Sequence, residues 1–131
     1  MDSYVRLEDA WSTVWPLVGA DGLDIELLVA GLDSIRIRNG RCQRFLHSGT
    51  TAVAIGASES GVATLTIFAR MIPYVVVLVE GDETGWFVRR LAVRSSIFRI
   101  LEAPCRRMNL AIVADPAIHQ LRWSLTEQIA D

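Results

Sequence analysis

The stretch from Val62 to Val93 carries long apolar runs and predicts the centre of a β-sheet. Within it, Tyr74–Val79 is almost entirely β-branched or aromatic and shows no polar alternation, which is typical of a strand covered on both faces. The turn residues of Gly81–Gly85 predict a hairpin loop that leads into a second strand, Trp86–Val93. We therefore expect a central strand pair with other elements packed on each side of it.

Helical periodicity on either side of this stretch predicts those covers. In Val5–Val18 the apolar residues recur three or four apart and share one face, and the proline after Trp15 is expected to end or kink the helix. A second short helix is expected over Leu23–Gly31. Asp115 and Pro116 predict the start of a C-terminal helix, because an N-cap acceptor precedes a proline in the first turn. The apolar face of that helix comprises Ile118, Leu121, Leu125 and Ile129.

Alternating and compact apolar runs predict the remaining strands. Ser34–Arg38 alternates and is followed by Asn39-Gly40, a pair typical of a two-residue hairpin turn, with Arg41–Leu46 as the returning strand. The run Ile97–Ala103, between two serines and a proline, fits either a short helix, which we favour, or a strand. Further strands are expected over Thr50–Ala57, Val62–Met71 and Met108–Ala114.

Together these elements predict a single α+β domain over residues 1–131. We expect a curved, mostly antiparallel sheet of five to seven strands, with two N-terminal helices and one C-terminal helix packed on it. The chain is 51% hydrophobic, and no apolar run reaches the ~18 residues of a membrane-spanning helix. The N-terminus lacks a basic segment leading into an apolar one, and there are only two cysteines, so we expect a cytoplasmic protein.

The charges are unevenly distributed along the chain. Residues 1–33 carry seven acids and one arginine, whereas residues 34–107 carry eleven arginines and five acids. This separation predicts charge complementarity within the molecule or between subunits. It argues against nucleic acid as a partner, because the net charge of −2 is not basic. All 13 basic residues are arginine, so chemistry that needs a lysine, such as a Schiff base, is excluded.

Three arginines flank the predicted Asn39-Gly40 turn. In a two-residue hairpin Arg38 lies opposite Arg41, and Arg36 shares their face of the strand pair. Opposed arginines repel each other, so they need solvent, acids from residues 1–33 or an external anion. We therefore treat Arg36, Arg38 and Arg41 as a candidate site for an anion or an acidic partner.

Three tryptophans are candidates for a partner interface. Trp11 and Trp15 lie four residues apart and share one helical face, which either packs both indoles on the sheet or presents an aromatic pair to a partner. Trp123 lies off the apolar stripe of the predicted C-terminal helix, where it can reach a neighbouring element or a second copy. We expect a homodimer or a stable complex with another protein, and no membrane partner.

No arrangement of residues predicts catalysis, a metal or a cofactor. The two histidines, His47 and His119, and the two cysteines, Cys42 and Cys105, lack the short spacings that ligate zinc. Arginines beside each cysteine can lower a thiol pKa, but we interpret both cysteines as small core residues. No glycine-rich phosphate loop is present.

Two segments, FVRRLAV (Phe87–Val93) and CRRMNLAIV (Cys105–Val113), followed by a predicted helix, resemble the later strands of GCN5-related N-acetyltransferases. Members of that family hold the coenzyme A pyrophosphate on an R/Q-x-x-G-x-G/A loop and a long helix between these strands. Here the connection Arg94–Pro104 contains no glycine, so no site residue is carried over from the family.

The sequence favours a non-enzymatic interaction protein: a small cytosolic adaptor, a secretion-type chaperone or an immunity-type partner. This hypothesis rests on the lack of a catalytic pattern, the high apolar content with four tryptophans, and the separated charges. The alternative is a small acyltransferase-like enzyme, or a domain that binds an anion or another ligand between the sheet and the helices.

Overall fold

The structure, a computed structural model, describes residues 4–20, 22–36, 42–59 and 61–121, without the side chains of residues 36, 42–45, 57–59 and 119. It has three α-helices, α1 (Leu7–Val14), α2 (Ile25–Arg36) and α3 (Ser95–Arg107), and two 3-10 helices, Trp15–Val18 and Pro116–Gln120. The seven strands are β1 (Val5–Arg6), β2 (Cys42–Ser48), β3 (Thr51–Glu59), β4 (Val62–Ala69), β5 (Ile72–Asp82), β6 (Gly85–Val93) and β7 (Ile112–Ala114). None of the described helices is long and apolar enough to span a membrane.

The strands form one sheet with the order β1-β6-β5-β4-β3-β2, and every pair along this path is antiparallel. β7 runs parallel to β6. It lies along the same edge of β6 as β1 does, because β1 pairs with Phe87 and Val88, whereas β7 pairs with Leu91–Val93. The stretch Val62–Val93 supplies β4, β5 and β6, with β5 between the other two. The predicted α+β class and the predicted centre of the sheet are both confirmed.

All three α-helices pack on one face of the sheet, which we call the helical face. Alternate residues of β5, namely Val75, Val77 and Val79, are buried on this face. They belong to one continuous hydrophobic cluster that also contains a side chain from each helix: Leu7, Leu28 and Leu101. Removal of these apolar side chains from water, at roughly 25 cal/mol per Å², is the main contribution to the stability of the fold.

The opposite face of the sheet, the far face, is covered only in part, so the predicted burial of β5 on both sides is wrong for the described structure. Val76 and Leu78 are only partly buried, and Thr66 lies beside Val76 on the neighbouring strand. Among the described residues, this face is covered by the 3-10 helix Pro116–Gln120, which packs against β5 and β6 and buries Ile118. A run of β-branched residues therefore indicates strand formation here rather than two-sided burial.

Arg89 and Arg90 test the same prediction, because two-sided burial of the central strands would place one of these neighbours beneath a helix or a partner, where it would need an acid to pair with. Both are exposed, although β6 is a strand as predicted. A β-bulge at Arg89 interrupts the register with β5, so the two neighbours need not point to opposite faces. Arg89 forms an ion pair at the surface, where its Nη1 lies 3.0 Å from Oε1 of Glu80, so the predicted covered pair is not formed.

The predicted strand Ser34–Arg38 is wrong over its first three residues, because α2 continues to Arg36. Gly31, expected to end this helix, lies within it where α2 packs closely on β3. A Cβ atom at Gly31 would lie 2.9 Å from Cδ1 of Ile55. The longer helix follows from a buried stripe at helical spacing, made of Leu28, Leu32 and Ile35.

The helix after β6 is also longer than predicted. The favoured helical interpretation of Ile97–Ala103 is confirmed, but α3 extends to Arg107 and contains Pro104 rather than ending at it. Pro104 lies in the last turn of α3, where it lacks the N–H that would donate to the residue four positions earlier. The strand expected over Met108–Ala114 is reduced to β7, because Met108 ends the helix and Asn109 follows with a positive φ of 59°.

Two prolines mark helix boundaries as predicted: α1 ends just before Pro16, and the last helix begins at Pro116. α1 ends at Val14 and continues as a 3-10 helix from Trp15, as Pro16 required. At the C-terminal end, Oδ1 of Asp115 accepts a hydrogen bond from the backbone N–H of Ala117 at 2.9 Å, which confirms the predicted cap. The helix that follows is a 3-10 helix and stops at Leu121, whose backbone is extended. One continuous helix through Leu121 is therefore wrong, and residues 122–131 lie outside the described part.

Candidate functional site

A cleft of about 370 Å³ opens between the start of α1, the side of α2 and the turn that joins β5 to β6. A second cleft of about 390 Å³ shares Glu8 and Val29 with it and adds Ile25 and Glu26. Because they share residues, we treat the two clefts as one feature, the acidic groove. Its lining residues are Glu8, Ile25, Glu26, Val29, Asp33 and Asp82–Trp86.

Trp86 forms the base of the acidic groove and is only 2% exposed. It lies opposite Gly81 in the β5–β6 ladder, and a Cβ atom on Gly81 would approach the indole ring to 2.7 Å. The indole Nε1 donates a hydrogen bond to Oδ1 of Asp33 on α2, at 2.9 Å. The ring is therefore fixed from the sheet and from a helix. Together with the half-buried Ile25 and Val29, it gives the groove an apolar floor.

Carboxylates surround this floor. All five acidic side chains of the groove are exposed, and they come from two helices and one turn: Glu8, Glu26, Asp33, Asp82 and Glu83. Arg6 lies at the same end of the sheet, where its Nη2 donates to the carbonyl oxygen of Thr84 at 3.0 Å. Asp33 and Asp82 have partners within the fold, whereas Glu8, Glu26 and Glu83 form no ion pair with another described residue, so these three carboxylates give the groove a negative electrostatic potential.

The turn beneath the groove is held by Asp82. Its Oδ1 accepts hydrogen bonds from the backbone N–H of Thr84, at 2.8 Å, and from the Thr84 hydroxyl. This local pairing shortens the connection between β5 and β6 to Glu83 and Thr84. The exposed carboxylate of Glu83 is consequently presented at the tip of a two-residue turn.

An apolar floor with a negative rim suits a cation that carries an apolar stem. The arginine side chain has both parts, because its guanidinium pairs with two carboxylate oxygens at once and its methylene groups cover apolar surface. Among the described residues there is no group of three or more His, Cys, Asp or Glu side chains that could hold a metal ion. The arrangement is therefore suited to binding a basic side chain on a protein surface.

Asp33→Ala is expected to lower the free energy of unfolding by about 1 kcal/mol, because the Trp86 N–H loses its carboxylate acceptor at a place that water still reaches. Urea unfolding followed by tryptophan fluorescence measures the change. Glu83→Ala, which removes an equal charge from the same groove, is the control and is expected to have little effect. Equal losses for the two variants would show that the hydrogen bond to Trp86 contributes nothing.

Trp11 and Trp15 lie in the core, where they are 5% and 0% exposed. Their rings stack with centroids 4.4 Å apart and planes inclined by 18°. The indole Nε1 of Trp11 donates to the carbonyl oxygen of Leu23 at 3.3 Å. Of the two alternatives raised by their spacing, the structure shows internal packing, and neither ring offers a surface to a partner. Trp123, the third candidate for an interface, lies outside the described residues.

The candidate arginine site is not assembled within the described residues. Arg36 is the last residue of α2, whereas Arg38, Arg41 and the Asn39-Gly40 turn lie outside the described part. The strand geometry that placed Arg36 on their face is wrong, because its backbone is helical. Binding of an anion or an acidic partner by these arginines stays a prediction.

Another cleft, of about 280 Å³, lies at the N-terminal end of α3 and is lined by Arg94, Ser95, Ser96, Asp115 and Pro116. The N-terminus of a helix attracts anions. Here, however, Arg94 is used within the fold, where its Nε donates to the carbonyl oxygen of Pro73 at 2.5 Å. The Asp115 carboxylate lines the same cleft and repels negative charge. This cleft therefore gives little support to a pyrophosphate or another anionic ligand.

Cys105 is a core residue, as interpreted from the sequence, and is 0% exposed. Burial raises the pKa of its thiol to about 11, which is opposite in direction to the effect expected from neighbouring arginines. The thiol is therefore protonated at neutral pH and is not an activated nucleophile.

Comparison with models of known protein families, with curated proteins and with solved structures finds no match to this chain. The resemblance to N-acetyltransferases is also weakened by the structure. Cys105–Arg107 belong to α3, so most of the segment Cys105–Val113 is not the strand that the resemblance requires.

Sequence reasoning did not predict this groove. Trp86 was assigned only to a strand, and Gly81–Gly85 to a loop, whereas β5 continues to Asp82 and β6 begins at Gly85. The spacing of Gly81 and Trp86 around the turn is the signal in the sequence that could have indicated their contact, because in a hairpin with a two-residue turn they lie opposite each other. The acids of residues 1–33 meet Asp82 and Glu83 only in the folded chain, so no local pattern could reveal the rim.

Proposed function

We propose that the protein is a non-enzymatic interaction protein that accommodates a basic, partly apolar segment of a partner protein in the acidic groove. The observation that carries this proposal is the arrangement of five carboxylates around an apolar floor. Glu8, Glu26 and Glu83 form no ion pair with another described residue, so their charges are available to a partner.

A protein segment fits the groove better than a small ligand does. The groove is open and follows α2 from Ile25 to Asp33, so it can contact several side chains of an extended or helical segment. Arginines of that segment pair with the rim, and its short apolar side chains cover Ile25 and Val29. Charges around the rim also speed the encounter with a basic partner.

The proposal covers three classes of interaction protein, namely a small adaptor, a secretion-type chaperone and an immunity-type partner, and it includes a cytoplasmic location. The acyltransferase-like or anion-binding alternative has weaker support. The cleft at the start of α3 contains the Asp115 carboxylate, and Arg94 in it already binds the Pro73 carbonyl.

The proposal is tested with a synthetic helical peptide that carries arginines around a central alanine and isoleucine. We expect fluorescence anisotropy to show binding that weakens as salt is added, because exposed ion pairs are screened. Glu26→Arg reverses a rim charge and is expected to weaken binding roughly tenfold.

Two controls accompany this titration. Asp9→Arg makes the same charge change on α1 outside the groove lining and should leave affinity nearly unchanged. A peptide with glutamate in place of arginine should not bind. Failure of the basic peptide to bind at low salt, or equal losses for Glu26→Arg and Asp9→Arg, would overturn the proposed function.

A further inference from the structure

We infer that the basic segment received by the acidic groove is α3 of a second copy of this chain, so that the protein forms a homodimer through its helices. This inference rests on the proposed function of the groove and names its partner. The chain itself carries an exposed surface with the chemistry that the groove requires.

α3 turns a basic face to solvent. Its inner side is anchored in the core by Leu101 and Cys105, both 0% exposed. At 100° per residue the outward positions fall together on the opposite side of the helix. These exposed residues are Arg99, Ile100, Ala103, Arg106 and Arg107.

The outward face of α3 is also partly apolar at its middle. Ile100 is 48% exposed, so it adds a large aliphatic side chain to this face. Ala103 lies one turn further along, between the arginines. The face therefore consists of short apolar side chains bordered by guanidinium groups, which is the complement of an apolar floor bordered by carboxylates.

The two surfaces also match in charge. One acid, Glu102, lies on α3 and pairs with Arg106, so the helix keeps a positive excess. The groove keeps a negative excess from Glu8, Glu26 and Glu83, which form no ion pair with another described residue. The helical acids of the groove come from residues 1–33 and the arginines of α3 from residues 34–107, so the two surfaces lie on different elements of the same molecule.

The positions of the two surfaces allow both to be used at once. α3 packs against α1, and Glu8 at the start of α1 lines the groove, so α3 and the groove lie on the same helical side of the sheet. A two-fold axis through that side lays each α3 over the groove of its partner. Two identical contacts then form, and the assembly closes as a dimer instead of growing into a filament.

A reciprocal charge exchange tests this arrangement. The first variant, Arg99→Glu with Arg107→Glu, makes α3 acidic and leaves the Arg106–Glu102 pair in place. The second, Glu26→Arg with Glu83→Arg, makes the groove basic. Light scattering is expected to show a wild-type dimer that dissociates in salt, and at least a roughly tenfold weaker dimer for each variant alone.

Mixing the two variants is the decisive step. In a heterodimer the acidic α3 meets the basic groove and the basic α3 meets the acidic groove, so both contacts are restored and a salt-sensitive dimer should return. Arg90→Glu with Arg89→Glu makes the same charge change on β6, away from α3, and should leave the wild-type dimer intact. Thermal unfolding of each variant checks that it is folded.

The outcomes separate this inference from the proposed function. If the wild-type chain is monomeric but its groove binds the basic peptide, the second copy is not the partner and the proposed function stands. If the wild-type chain forms a dimer that neither charge exchange weakens, α3 is not the occupant. The same conclusion follows if the two variants do not form a dimer when they are mixed. If α3 is the occupant, the monomeric variant Arg99→Glu with Arg107→Glu still binds the peptide, because its groove is unchanged.

Discussion

Gly81→Ala is expected to destabilise the fold by about 2 to 3 kcal/mol, as overpacking in a fixed environment does. The new Cβ atom would lie 2.7 Å from Cδ2 and Cε3 of Trp86 and 2.8 Å from Cζ3. Trp86 has little room to move, because it is 2% exposed and its Nε1 is bonded to Asp33. Backbone strain is not the cause, since Gly81 is not among the glycines with positive φ.

Gly56→Ala is the matched control for this substitution. Gly56 also lies within a central strand, but a Cβ atom there would meet only Oγ1 of Thr64, at an ordinary 3.6 Å. We expect no loss, or a gain of about 0.5 kcal/mol from the reduced entropy of the unfolded chain. Urea unfolding of both variants gives the comparison, and near-ultraviolet circular dichroism reports the displaced indole of Trp86. Similar stabilities would show that Trp86 moves aside without cost.

Alkaline pH is expected to destabilise the protein through two buried groups. Burial raises the pKa of Tyr74 from 10.0 to about 12 and that of Cys105 from 9.0 to about 11. The folded state therefore holds both protons to higher pH than the unfolded state does. Below the ordinary pKa values both states are protonated and stability is at its full value. As pH rises, the unfolded chain releases its protons first, and stability falls until the folded pKa values are passed.

The size and source of this loss are measurable. We expect a loss of roughly 1 to 2 kcal/mol for each group. Urea midpoints over a pH series give the curve. Tyr74→Phe should remove the loss of stability at the higher pH values, and Cys105→Ala should remove the loss at the lower ones. Tyr74→Phe should also keep its stability at neutral pH, since the hydroxyl has no hydrogen-bond partner among the described residues. An unchanged alkaline slope in both variants would exclude these two groups as the cause.

The centre of the sheet was predictable because its signal is local. β-branched runs separated by turn residues define β4, β5 and β6 without knowledge of the rest of the chain. Over the five residues Ser34–Arg38, by contrast, alternation and helical spacing both fit, and only the continuation of the stripe from Leu28 decides for a helix. Likewise, spacing predicts that Trp11 and Trp15 share a face but does not tell whether that face is buried.

The candidate site was not predictable for a different reason. Glu8, Asp33 and Glu83 come from three distant parts of the chain, and none has a neighbour in sequence that marks it as special. Their common property, a position around Trp86, exists only after α1, α2 and the β5–β6 turn have assembled. Patterns along the sequence report periodicity and turns, whereas this groove depends on tertiary contacts.

The meander formed by β2 to β6 has a consequence for how the chain folds. Its strands pair with their neighbours in sequence, so each pairing closes a short loop at low entropic cost. Among the strands that the structure describes, only β1 pairs with a strand far away in sequence, Val5 opposite Val88, and α1 follows directly from it. The meander is therefore expected to form early and the docking of β1 and α1 late. Since α1 contributes Glu8 to the groove, the groove is complete only at the last stage of folding, and the proposed binding of a basic partner would favour complete molecules.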